Sequence, residues 1–256
     1  MKITFLGTGT SQGVPVIGCQ CAVCQSDDIR DRRLRSSILV DYKGKQFVID
    51  TGPDFRQQML REKVNHLDFV LLTHGHKDHI AGLDDIRAFN HIQKKAMDIY
   101  ANKDTCEDIT REFYYVFRQN RYPGIPELNL HPVGDVSFEA HGISIEPIHL
   151  LHYHLPILGF RIDKLAYITD ASHIDENEMK KLKGLDVLII NALRIEKHYS
   201  HFNLEEAIKV AQQLQACKTY ITHISHLMGL CQSCNPILPD NIALAYDGLV
   251  IEQSTS

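Results

Sequence analysis

The segment Thr73-His74-Gly75-His76-Lys77-Asp78-His79 sets three imidazoles and a carboxylate close together, directly after the apolar run 69–72. Two imidazoles two residues apart on an extended chain converge on one ion, while Asp78 and His79, a turn further on, face a second. Nitrogen and carboxylate donors suit a borderline divalent metal such as zinc or manganese, and Gly75 allows the tight backbone that this convergence needs. Two such ions held about 3.5–4 Å apart share a hydroxide and clamp the attacking and leaving oxygens of an in-line displacement, with the pKa of bound water lowered to about 7. A site of that kind keeps a net positive charge and suits a phosphodiester anion.

A second concentration of donors, GCQCAVC at 18–24, holds Cys19, Cys21 and Cys24, three of the seven cysteines. Three thiolates are most of a tetrahedral metal site. The N-terminal MKITFLGTGT has too short an apolar run for a signal peptide and no later segment approaches a membrane span, so the expected location is the cytoplasm. In that compartment an odd number of cysteines reads as metal ligands and buried thiols rather than disulfides. A formal charge of -5 and a pI near 6.3 argue against gripping nucleic acid through a general basic surface and leave only a local basic groove for it.

These donors need elements to position them. Short runs rich in β-branched residues at 3–6, 37–41 and 46–50 read as strands, the last two joined at Lys43-Gly44. A helix over about 54–64 and a buried strand over 69–73 follow, then a longer helix over about 104–118. The second half reads as strands at 143–148, 159–162 and 166–169. Asp175 with Glu178 caps a helix stopped by Gly184, a strand covers 187–190, and Asn203 with Glu206 caps a helix whose apolar face is Leu204, Ala207, Ile208, Ala211 and Leu214. A strand at 220–222 closes the series. FVIDTG and YITDAS each deliver an aspartate, Asp50 and Asp170, where a strand gives way to a loop, the place where α/β proteins commonly put chemistry. The pattern predicts two stacked αβ halves sharing a cleft.

THGHKDH, with FLGTGTSQGVP at 5–15 and IDTGPD at 49–54, resembles the metallo-β-lactamase-fold hydrolases. Within them the chain looks most like the phosphoribosyl cyclic phosphate phosphodiesterases of phosphonate breakdown, and more distantly the tRNA 3′-processing endonucleases. The resemblance implies an α/β, four-layer αβ/βα sandwich, a single domain over 1–256 built of halves at about 1–130 and 131–256. It also implies that His74 and His76 bind one metal and Asp78 and His79 the other. The next ligand in the family precedes a PxLG-aromatic-R stretch, matched here by 152–161. Distance from Gly159 selects His152, and His149 and His154 are rivals that strand slippage would substitute. Tyr153 stands where the family more often has glycine. Asp170 matches the carboxylate that bridges both ions, and His223 the last ligand of the second.

His201 matches a histidine these families use at the scissile phosphate, to donate a proton or stabilise negative charge, with His198 as a lesser substitute. His201 and Asp78 are therefore the expected catalytic residues, and Asp50 is expected behind a histidine ring, fixing its tautomer. For the cysteine cluster the resemblance supplies His226 as fourth ligand of a closed, structural Cys3His zinc site, with Cys231 and Cys234 as competitors. The implied activity is a dinuclear phosphodiesterase, with two zinc or manganese ions, acting on a small cyclic phosphate ester. A tRNA-trimming endonuclease, a hydrolase of another ester class and a metal-holding scaffold without catalysis are the other readings. No glycine- and proline-rich arm for tRNA is present in the sequence, and a homodimer is the expected assembly.

Overall fold

The computed structural model describes residues 1–119 and 122–253. The reading of 1–256 as one domain includes 120, 121 and 254–256, which lie outside the described residues. In chain order the first strands are β1 (Lys2–Gly7), β2 (Ser37–Tyr42), β3 (Lys45–Ile49), β4 (Phe69–Leu71), β5 (Met97–Ala101) and β6 (Leu128–Pro132). The second group is β7 (Phe138–Ala140), β8 (Ile143–His152), β9 (Leu155–Ile162), β10 (Leu165–Ile168), β11 (His173–Ile174), β12 (Val187–Asn191), β13 (Lys218–Thr222), β14 (Ile242–Leu244) and β15 (Val250–Glu252). The α-helices are α1 (Phe55–Arg61), α2 (Lys77–Ile80), α3 (Arg87–Gln93), α4 (Lys103–Glu112), α5 (Glu176–Lys181), α6 (Leu204–Leu214) and α7 (Cys231–Cys234).

One sheet runs β15-β1-β2-β3-β4-β5-β6 and the other β11-β8-β9-β10-β12-β13-β14, with β7 paired to β8. Each changes from antiparallel to parallel pairing part-way across, at β3–β4 in the first and β10–β12 in the second. The last strand, β15, pairs antiparallel with β1, so the C-terminal half returns a strand to the first sheet.

Side-chain alternation makes the layers. Phe47, Ile49, Phe69 and Leu71 meet Leu165, Tyr167, Val187 and Ile189 in a core between the sheets. Their neighbours point the other way: Val48 and Val70 pack with Phe55, Phe89 and Ile109 beneath the helices of the first half. Ala166, Ile168, Leu188 and Ile190 do the same with Leu204, Ala207, Ala211 and Leu214 of α6. Strands buried on both faces read as continuous apolar runs, which is why the sequence signals them strongly. The result is the four-layer αβ/βα sandwich.

Three expectations shift in detail. The helix read over about 104–118 ends at Glu112 and gives way to a 3-10 turn, Tyr114–Val116, because Phe113 and Val116, three apart, both turn into the core. The strands at 143–148 and 159–162 are the inner parts of a longer β8–β9 hairpin in which His152 pairs with Leu155. The extended chain expected through THGHKDH ends at His76, and Lys77–Ile80 forms the short helix α2.

The capping box of α6 is present in full: Asn203 Oδ1 accepts from Glu206 N at 2.9 Å and Glu206 Oε2 accepts from Asn203 N at 3.0 Å. Asn203 Nδ2 also donates to Ile195 O, tying the helix start to the loop before it. Asn203→Ala should therefore lower unfolding free energy by about 1–2 kcal/mol in urea titration, and an unchanged midpoint would contradict the assignment.

Candidate metal centre

The parallel strands of both sheets deliver their carboxyl ends to one edge of the sandwich. β3 leads into Asp50, β4 into Thr73 and His74, β10 into Asp170, β13 into His223. Asp50, Asp170 and His223 all adopt left-handed backbone, with φ of 67°, 58° and 55°. For residues with a Cβ that conformation costs about 1–2 kcal/mol, and it turns each side chain off its strand into the cleft. The motif occurs three times, in FVIDTG, YITDAS and YITHIS, and the third copy delivers His223.

Four buried or half-buried rings are anchored through Nδ1 on their outer side. His79 Nδ1 donates to Asp50 Oδ2 at 2.8 Å, and His152 Nδ1 to the Ser200 carbonyl at 2.7 Å. Ser36 Oγ donates to Gly9 O and so accepts from His223 Nδ1 at 3.3 Å. Thr73 Oγ1 donates to Asp50 and accepts from His74 Nδ1 at 3.0 Å. Once Nδ1 carries the proton, a neutral ring presents its lone pair at Nε2. All four Nε2 lone pairs are thereby left for the cleft.

What they face is not a set of donors. His79 Nε2 lies 3.1 Å from Asp78 Oδ2 and 3.2 Å from Asp170 Oδ2, yet makes no hydrogen bond, while fully buried. His223 Nε2 is 3.2 Å from Asp170 Oδ1, and His74 Nε2 is 3.0 Å from His76 Nδ1. Lone pairs opposed to carboxylates in a buried site require a cation between them, a proton or a metal ion. The donor set therefore fits divalent metal. Asp78, His79, Asp170 and His223 each offer an atom within 4.8 Å of the others, as do His152, Asp170 and His201.

The electrostatics agree. Burial opposes charge on Asp170, but His223, His79 and His201 hold its carboxyl well below the usual range. Burial likewise opposes charge on His79, yet Asp78, Asp50 and Asp170 raise its pKa well above the ordinary value, so a proton is held where a metal would sit. Burial pushes His74 well down and His223 down to about 4, keeping both neutral as ligands must be.

Of the three histidines contending for one role, His152 is the one at the cleft, its ring 5.2 Å from that of His76 and 5.8 Å from that of His74. His149 turns to Asp135, and His154 lies against Tyr153 at the surface. His201 sits beside His152, ring centroids 4.6 Å apart, with Nε2 3.2 Å from Asp170 Oδ1. His198 touches His201 from outside, Nδ1 to Nδ1 at 3.2 Å. The sequence reading missed Thr73 and Ser200, whose backbone and hydroxyl roles carry no signature of type or spacing.

Away from this cleft, Cys19, Cys21, Cys24 and His226 converge: His226 Nδ1 is 3.3, 3.4 and 3.5 Å from the three sulfurs. Bonds of about 2.3 Å to sulfur and 2.0–2.1 Å to nitrogen at a tetrahedral angle put those atoms roughly 3.5 Å apart, so this set fits zinc as it stands. The backbone N–H of Cys24 and the His226 ring lower the Cys21 thiol to about 6, whereas burial raises Cys24 to about 11. Cys231 and Cys234 are not in the group; Cys234 Sγ donates to Met228 O and Cys231 Sγ accepts from Asn235 Nδ2.

Residues 45–224 match the family described as β-lactamase superfamily domain. An octanoyltransferase of Porphyromonas gingivalis is 42% identical over 252 residues, 97% of this chain; the chain spans about half (51%) of that relative's length. A crystal structure described as a new diphosphatase from the PhnP family superposes with a TM-score of 0.92 at 42% identity, covering 99% of this chain and 98% of that one. The zinc-bound PqqB of Methylobacterium extorquens superposes at 0.81 with 19% identity, covering 99% and 100%, a likeness of fold. With the sandwich, the donor-lined cleft and the matched residues together, the chain belongs to the β-lactamase superfamily and is a metallo-β-lactamase-fold hydrolase.

Proposed function

We propose that this hydrolase is a dinuclear metal-dependent phosphodiesterase acting on a small, cyclic phosphate ester, as one domain over 1–256. The observation that carries the reading is His201, an imidazole standing beside the donor set, 3.2 Å from Asp170, at the open side of the cleft. The similar structure described as a PhnP-family diphosphatase supports phosphate chemistry. The name octanoyltransferase belongs to a protein of which this chain spans about half.

In this reading His74, His76 and His152 would hold one divalent ion and Asp78, His79 and His223 the other, with the Asp170 carboxylate available to both. Zinc or manganese there would supply Lewis-acid activation of water and neutralise phosphate charge. The chain's own residues do the rest. Asp50 and Thr73 fix His79 and His74 in the tautomer that aims Nε2 inward. Asp78 brings negative charge to the ligand set and, through His79, keeps the second position attractive to a cation. His201 donates a proton to the leaving alkoxide. Its Nδ1 contacts Ser200 Oγ at 3.0 Å and His198 Nδ1 at 3.2 Å, which give the ring a route for reprotonation from solvent.

Three outcomes are expected. His201→Ala keeps its metal content, by plasma emission analysis, but loses about 100-fold or more in turnover of a chromogenic phosphodiester; full turnover would remove the assigned role. Asp170→Ala purifies with less than the full complement of cleft metal, and an unaltered metal count would refute a bridging carboxylate. Cys21→Ser loses one zinc equivalent and unfolds at lower temperature, whereas retained zinc would show that the cysteine cluster does not hold it.

A further inference from the structure

Strand β12 runs Val187-Leu188-Ile189-Ile190-Asn191, four buried apolar residues and then an amide that is as buried as the rest, 0% exposed. An amide removed from water costs free energy unless both its ends are bonded. Both ends of this one go to a single residue: Oδ1 accepts from Ala171 N at 2.8 Å and Nδ2 donates to Ala171 O at 2.9 Å. A backbone N–H only donates and a carbonyl only accepts, so the orientation of the amide is fixed.

The place of that clamp gives it a use. Parallel pairing of β10 with β12 stops at Ile168 and Ile190, and the chain beyond leaves the sheet to deliver Asp170 in left-handed backbone. The Asn191 side chain takes up the bonding where the ladder ends and holds the residue just after Asp170. The Ala171 carbonyl also accepts from Phe202 N at 2.8 Å, and Phe202 O accepts from Leu193 N at 3.0 Å. Phe202 is the residue just after His201. One amide therefore stands behind both chain segments that carry Asp170 and His201, whose side chains meet at 3.2 Å. The other polar contacts of the His201 ring, Ser200 Oγ and His198 Nδ1, lie on its own loop. The height of the ring against Asp170 is thus set by the backbone bonds of Phe202.

We propose that Asn191 is a positioning residue for the reaction: by pinning the peptide groups of Ala171 it fixes the separation between the loop that carries His201 and the strand end that carries Asp170. The inference rests on the phosphodiesterase reading, in which His201 serves the leaving group, and adds to it the residue that decides where His201 stands. Asn191 acts through Ala171 and Phe202 and not by touching substrate.

The test is a double-mutant cycle with His201. Asn191→Asp has the same shape, keeps the acceptor for Ala171 N and sets a second acceptor against Ala171 O. Asn191→Ala removes both bonds and is read in its place where the carboxylate variant does not fold. Each is expected to keep its cleft metal, by plasma emission analysis, and to lose about tenfold in turnover of a chromogenic phosphodiester with KM within about twofold of the unaltered protein. In the His201→Ala background the same substitution is expected to cost less than about twofold, because the group it positions is gone. Full turnover in the Asn191 variants overturns the inference, and so does an equal fractional loss with and without His201, which would show a clamp that serves the fold alone. Crystal structures of the unaltered protein and Asn191→Ala give a reading free of activity: His201 Nε2 is expected to move out of hydrogen-bond reach of Asp170 Oδ1, and superposable rings would overturn the inference as well. An unaltered protein that turns over no phosphodiester under zinc or manganese, or full turnover in His201→Ala, sinks the phosphodiesterase reading, and those two structures then decide this inference.

Discussion

The Asp170 carboxylate is 2% exposed and has imidazole nitrogens of His79, His201 and His223 each at 3.2 Å. An anion removed from water to that degree must be met by positive charge or the fold pays several kcal/mol for it. Among the described residues no lysine or arginine pairs with it; its partners are these three rings and the Thr169 hydroxyl, which donates to Asp170 Oδ2 at 2.7 Å. The centre is thus built with a deficit of cation. That deficit matches the surroundings, because the elements reaching the cleft bring lone pairs or carboxylates and four of the rings, those of His74, His79, His152 and His223, are anchored from behind.

The sandwich makes this affordable by spending its packing elsewhere. The core between the sheets and the two cores under the helices are apolar and contain none of the cleft residues. Because each sheet turns parallel part-way across, several strands end together at one edge, and three of those ends carry a left-handed residue. The backbone at that edge is also tight: a Cβ on Gly52 would lie 2.1 Å from the Asp78 carbonyl, and Thr51 N donates to the His79 carbonyl. The loop after β3 thereby presses on α2 and fixes the height at which Asp78 and His79 enter.

Much of the centre was legible because metal donors are few in kind and their spacing is narrow. THGHKDH needs no partner to be read, and YITDAS was read by analogy with FVIDTG. What resisted reading depends on register. His149, His152 and His154 are alike in type, and a shift of β8 by one residue exchanges the faces of His149 and His152; distance from Gly159 selects His152, and the pairing of His152 with Leu155 fixes the register on which that choice depends. The strands β5 and β6 and the helix α3 went unread because each is short and mixed in character, and tertiary contact rather than local pattern fixes them. The return of β15 to β1 links residues some 250 positions apart, which no local signal records.

The cysteine cluster shows how a group without chemistry can still shape it. The loop at 13–24 has little apolar support, a small cluster of Val14, Val23 and Cys24, too little to hold such a segment by burial alone. His226 follows His223 by three residues, and Thr10 N donates to Ile224 O between them. Fastening Cys19, Cys21 and Cys24 to His226 therefore fastens the first loop to the strand end that delivers His223. The residues caught in that fastening, Gln12, Ser225 and His226, line the same cavity as His198 and His201. The cluster stands outside the donor-lined cleft, and a metal ion held there would stiffen a wall of the cavity that His201 also lines.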